Sequence, residues 1–192
     1  SRKDALAALA FIVLFKFTDA FSGTMTAPFV IDLGFTRNDY AAIVKGVGLA
    51  ATLIGGFAGG FVARRYPLAA SLWVGGILQA VAILTLLQLA LAGHNYHWLV
   101  FAISVDSFCN AMASIAFIAF IMSLCDHRYT ATQFALFSAL ASVGRVFVGP
   151  IAGLIVTYFS WPVFFLLSLM ACLPGLGLLW YLRGDLNNHH AT

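Results

Sequence analysis

The chain has 192 residues and a formal charge of +3, with 62% hydrophobic residues, 9% charged residues and a mean hydropathy of +0.96. A soluble domain carries about 25% charged residues, so this composition excludes a water-facing globular surface and points to a bilayer as the solvent. One signal peptide would account for one apolar run, not for a pattern that continues to the C-terminus, and so small a net charge gives no reason to expect a nucleic-acid partner.

A membrane helix needs roughly 20 mostly apolar residues. Six runs qualify, about Ala5–Ile31, Tyr40–Ala63, Leu68–Leu91, Trp98–Leu124, Gln133–Phe159 and Trp161–Leu182. They are called spans one to six. Short polar connectors separate the first five: Asp32–Asp39, Arg64–Pro67, Ala92–His97 and Cys125–Thr132. Only Ser160 stands between spans five and six, where Trp161-Pro162 marks a helix start, because proline is tolerated in a first turn and not in an interior. The chain begins with Ser and enters span one within a few residues, as expected of a processed chain or a piece of a longer one. The expected organisation is a six-helix bundle over 1–184 and a short disordered tail over 185–192.

Six spans put both termini on one side. That side, with the second–third and fourth–fifth connectors, holds Arg2, Lys3, Arg64, Arg65, Arg128 and Arg183, whereas the opposite connectors hold only Arg37. The bias places the termini in the cytoplasm.

Three cations are left inside the spans. Span one has Lys16 and Asp19, span two Lys45, span four Asp106 and Asn110, and span five Arg145, while spans three and six have no charge. The first two helices of each set of three are charged and the third is apolar, which predicts a three-plus-three repeat with the third helix as a support. Lys16, Asp19, Gly23 and Thr26 share one helical face, as do Asp106, Asn110 and Ser114. Arg145 lies mid-span, Asp106 and Lys45 nearer the outer side. An ionisable residue at the bilayer centre costs roughly 2.5–3.5 kcal/mol on the insertion scale, so each needs a partner charge or a wet cavity. Two readings follow: Lys16–Asp19 and Asp106–Arg145 as ion pairs that fix helix register, or a polar cavity that handles solute and protons. Lys45 fits either snorkelling to the interface or lining that cavity.

The remaining motifs are structural. Gly55/Gly59, Gly56/Gly60 and Gly149/Gly153 have the spacing of close helix contacts. Pro28, Pro150 and Pro174 are candidate kinks. Cys109, Cys125 and Cys172 read as free thiols packed as small hydrophobes. His94 and His97 are too few for a metal site. No HExxH or GxSxG pattern occurs, so a membrane enzyme lacks a visible metal set or nucleophile, and no cofactor is expected.

The stretch GGFVARRY after span two resembles the glycine- and arginine-rich connector of the major facilitator superfamily. The stretches SLCDHRYTATQFALFSALASVGRVFVGPIAG, FKFTDAFSGTMTAPF and GILQAVAILT are similar to the C-terminal six helices of AmpG-type muropeptide permeases, over nearly the whole chain. The resemblance implies an all-α fold of 12 helices, of which this chain is one half, and an N-terminal six-helix half as partner. It implies proton-coupled import of anhydro-muropeptides, anionic glycopeptides, across the bacterial inner membrane by alternating access, for cell-wall recycling. Acetyl-CoA-type transporters of other anionic solutes, and a non-transporting six-helix scaffold, are the alternatives. Chemistry and depth then assign Asp19 and Asp106 to protons, Lys16 and Arg145 to solute anions, and Asn110, Ser114 and Thr26 to hydroxyls.

Overall fold

The computed structural model describes the backbone of residues 2–124 and 130–188, and the side chains of 9–21, 23–124, 131–142, 146 and 149–180. The described backbone is helical and holds no strand: α1 (Arg2–Gly23), α2 (Thr26–Asp32), α3 (Arg37–Ile43), a π-helical turn (Val44–Gly48), α4 (Leu49–Arg65), α5 (Leu68–Ala92), α6 (Tyr96–Ser123), α7 (Thr130–Tyr158) and α8 (Trp161–Asn188). In lipid every backbone N–H and C=O must find a partner within the protein, and a helix satisfies its own. Five described stretches are long and apolar enough to cross a membrane: Leu9–Asp32, Arg37–Arg65, Leu68–Ala92, Tyr96–Ser123 and Trp161–Trp180. Helix α7 adds two shorter apolar stretches, Ala131–Ser142 and Gly149–Tyr158, on one 29-residue helix. The chain is a multi-pass membrane protein, and the six expected spans correspond to α1–α2, α3–α4, α5, α6, α7 and α8.

Local chemistry explains most boundaries. Span one breaks at Thr24–Met25, because Pro28 lacks the N–H that would bond the Thr24 carbonyl and its ring clashes there. Pro150 and Pro174 lie inside α7 and α8, which run on without a break. Membrane helices tolerate proline where neighbouring groups take up the freed carbonyl. Gly34 and Gly93 adopt φ of +92° and +71° at what the charge bias makes the outer end. After Gly34 a capping box, Thr36 with Asp39, starts α3. Tyr66, the residue before Pro67, is extended because the proline ring excludes the helical region there. Helix α8 reaches Asn188, so 185–188 are helical where a disordered tail was expected. Residues 183–188 contain no proline, and a helix needs no apolar partner to continue into the interface. Residues 189–192 lie outside the described residues.

The packing has the symmetry of the charge pattern. Helix α6 packs on α4 and α5, α1 packs on α7 and α8, and α5 packs on α8. Exchanging spans one, two and three for four, five and six maps each of these pairs onto another or onto itself. Two apolar clusters fill the interior. One gathers Phe11, Phe15, Leu72, Phe117 and Phe120, and the other Phe21, Phe29, Leu86, Leu99, Phe164 and Phe165. Helices α5 and α8 each bury one face and expose another, with Ile77, Leu84, Leu166 and Met170 among the exposed residues, as expected of the supporting helices.

Close approach depends on which glycine faces which helix. A Cβ on Gly55 would collide with the Phe108 carbonyl, and one on Gly59 would come within 3.0 Å of the Met112 Cα. Both therefore let α4 lie directly on α6. Gly56 and Gly60 have nothing within 4 Å, and neither do Gly149 and Gly153. The expected tight contact holds for the first pair alone. One residue along a helix is a rotation of about 100°, enough to turn the second pair from the α6 contact to the open side.

Candidate functional site

The charged end of the site begins on α1. Three residues apart on one helix, Lys16 and Asp19 meet on the same face. The Lys16 Nζ lies 2.8 Å from Asp19 Oδ2, with the lysine side chain 20% and the aspartate 8% exposed. Across the helix interface Asn110 Nδ2 donates to Asp19 Oδ1 at 2.9 Å. Ser114 Oγ, one turn further along α6, donates to Asn110 Oδ1 at 3.4 Å. The ammonium also lies 5.1 Å from the centroid of the Phe117 ring, within cation–π range. Both carboxylate oxygens are thus engaged, and the lysine still borders open space. These are the partners the insertion cost demands.

An open-sided hollow of about 300 Å³ is walled by Lys16, Asp19, Gly23, Thr24, Asn110 and Ser114. It is one of four along α6. Towards the Ser123 end of α6 a hollow of about 320 Å³ has Lys16, Ser114, Phe117, Ser138 and Ser142 in its wall. Towards the Tyr96 end one of about 480 Å³ has Thr52, Gly56, Asp106, Ser107, Asn110 and Ser114. Beyond it a hollow of about 330 Å³ contains Lys45, Gly48, Thr52 and Ser107. Neighbouring hollows share wall residues, namely Ser114 with Lys16, Asn110 with Ser114, and Thr52 with Ser107. Together they form a groove along α6 whose floor carries the stripe Asp106–Ser107–Asn110–Ser114; its wall is mainly polar beside Asp19 and mainly apolar in the other three hollows.

The structure brings together Lys16 and Asp19, which the sequence pairs, with Asn110 and Ser114, which the sequence puts on a separate stripe; Asp106 lies one turn away in the adjoining hollow. Among the described residues Asp106 makes no hydrogen bond or ion pair. Thr26 is a correction: it is buried at 4% exposure and absent from the wall around Asp19. The break at Thr24–Met25 ends the helical register on which its placement relied, and Thr24 stands in the wall instead. The Thr24 hydroxyl donates to the Ala20 carbonyl at 2.7 Å, leaving its lone pairs for a ligand. Arg145 belongs to α7, but its side chain lies outside the described residues, and so does any pairing with Asp106.

Several wall residues escaped the sequence reading. Ser107 adjoins Asp106 in sequence, and Ser138 and Ser142 are four apart on α7, a polar pair that marks a helical face. Thr52 is seven residues from Lys45, again one face. The π turn at Val44–Gly48 has no comparable signal beyond its two glycines. His94 lies elsewhere: its Nδ1 donates to the Leu33 carbonyl at 2.9 Å and its ring stacks on Phe35 at 4.0 Å, which fastens one outer turn to the other. Cys109 and Cys172 are free and buried, and Cys125 lies outside the described residues.

The chain is similar to several known proteins. The chain is 38% identical over 186 residues to the anhydromuropeptide permease of Escherichia coli (strain K12), covering 96% of this chain and 38% of that protein. It is 36% identical over 186 residues to "Putative transporter AmpG 4" of Rickettsia conorii, covering 97% of this chain and 45% of that protein. To "Putative transporter AmpG 1" of Rickettsia bellii it is 32% identical over 178 residues, covering 93% and 43%. The chain therefore spans less than half the length of these relatives. A sequence profile of the Major Facilitator Superfamily matches residues 7–191, and the chain belongs to that superfamily.

Proposed function

We propose that the chain is the C-terminal six-helix half of a proton-coupled symporter that imports anhydro-muropeptides across the bacterial inner membrane, both termini facing the cytoplasm. It acts as a transporter, not an enzyme. An N-terminal half closes the groove, and the two halves expose it to each side in turn. The names of the relatives support the substrate class. The observation that carries the reading is the engaged Lys16–Asp19–Asn110 cluster opening into the groove along α6.

The chemistry follows from the contacts. With Asp19 charged, its carboxylate holds the Lys16 ammonium at 2.8 Å. A proton on Asp19 removes that charge and leaves Lys16 to attract a carboxylate of the solute. Asn110, Ser114 and Thr24 offer hydrogen bonds to sugar hydroxyls and peptide groups. Asp106, one turn away along the groove, is the second proton carrier, and Arg145 the second solute cation. Proton and anion then enter together, which is the condition for symport.

The test uses the protein with both halves in proteoliposomes. Labelled anhydro-muropeptide should accumulate under an inward proton gradient and stop when the gradient is collapsed. Asp19→Asn should reduce gradient-driven uptake about tenfold, the scale of one charged hydrogen bond, while solute exchange without a gradient continues. Uptake indifferent to the gradient would contradict the coupling.

A further inference from the structure

Lys45 has no role in the mechanism above, yet its setting differs from that of a lysine reaching for the lipid interface. It sits in the π-helical turn Val44–Gly48, an irregularity that occurs frequently at functional sites. Its hollow contains two hydroxyl side chains, Thr52 and Ser107, and both also wall the hollow of Asp106. The neighbouring exposed positions of α4, Leu53, Phe57 and Phe61, are apolar. Among the described residues no acid lies within ion-pair range of the Lys45 ammonium. An exposed cation beside the Ser107 hydroxyl, continuous with the groove along α6, is suited to a carboxylate.

We propose that Lys45 forms a second anion subsite at the outer end of the groove, so that the groove takes an elongated solute with an anionic group at each end. Lys16 holds one group and Lys45, helped by the Ser107 hydroxyl, holds the other; the Thr52 hydroxyl donates to the Gly48 carbonyl at 2.9 Å. The floor of α6 gives the length. The Lys45 hollow reaches Ser107 and the Lys16 hollow reaches Ser114, seven residues on, or about 10 Å of helix. An extended peptide covers 3.3–3.6 Å per residue, so about three residues span that stretch of α6. The subsite deepens the transport reading and rests on it: Lys16 serves the first anion once Asp19 is neutral, and Lys45 orients the far end of the solute.

The experiment measures inhibition of labelled anhydro-muropeptide uptake by two competitors, the free acid and the same glycopeptide amidated at its peptide terminus. The protein with both halves is used in proteoliposomes. The unmodified protein should prefer the acid about tenfold, as expected for one charged hydrogen bond. Lys45→Gln should lose that preference and Lys45→Arg should keep it. Lys45→Met is a second neutral variant, compatible with lipid should the glutamine variant fail to reach the membrane. Equal inhibition by both competitors in the unmodified protein, or an undiminished preference in the neutral variants, would overturn the subsite. A Lys45 that served a lipid phosphate would weaken both competitors equally when replaced and leave the preference intact. No uptake by the unmodified protein would instead contradict the transport reading itself.

Discussion

The two sides of α6 do opposite work with neighbouring residues. On one side Phe108 and Met112 lie against Gly55 and Gly59, so closely that an added Cβ would meet backbone atoms at both glycines. On the other side Asp106, Asn110 and Ser114 face hollows of about 300 and 480 Å³. A dry seam of small residues lets helices associate where lipid supplies no hydrophobic drive, and polar residues inside a membrane mark a pathway. One helix carries both because its faces are separated by a rotation of about 100° per residue. Rigid packing on the first side holds the polar groups of the second in register.

The contrast is broken most severely at the glycines. Gly55→Leu forces a side chain into the Phe108 backbone and should destabilise the protein by about 3 kcal/mol or more, the upper range for overpacking. Gly56→Leu, with open space at its Cβ, should change stability by less than about 0.5 kcal/mol. Thermal unfolding in detergent compares the two, and equal losses would erase the distinction between the faces.

A smaller effect sharpens the polar side. Thr24→Val removes a wall hydroxyl and should raise KM for anhydro-muropeptide a few-fold, as the loss of one neutral hydrogen bond of about 1 kcal/mol implies. Thr26→Val should leave KM unchanged, because Thr26 is buried away from the wall. Uptake kinetics with both variants decide, and a KM effect confined to Thr26 would restore the uninterrupted helical face expected from spacing.

Much of this architecture was legible in the residues. The spans follow from apolar length, and Lys16 with Asp19, and Asp106 with Asn110 and Ser114, follow from helical spacing. What failed was continuity and facing. The Thr26 assignment extended an ideal helix through the residues that Pro28 interrupts. The glycine pairs share a spacing, and spacing does not reveal which pair meets another helix. The π turn at Val44–Gly48 has no periodic signature. Contact between Asn110 and Asp19, 91 positions apart, could be guessed only from the need of a buried carboxylate for partners.

The central claim is that the polar side of α6 is a water-filled solute path while its other side is dry. Cysteine labelling of the protein with both halves, in a background with Cys109, Cys125 and Cys172 replaced by alanine, tests it directly. Ser114→Cys should react with a membrane-impermeant thiol reagent and be protected by anhydro-muropeptide, whereas Ala113→Cys, facing Gly75, should stay unlabelled. Equal reactivity at the two positions, or labelling of Ser114→Cys that the solute leaves unchanged, would contradict the account.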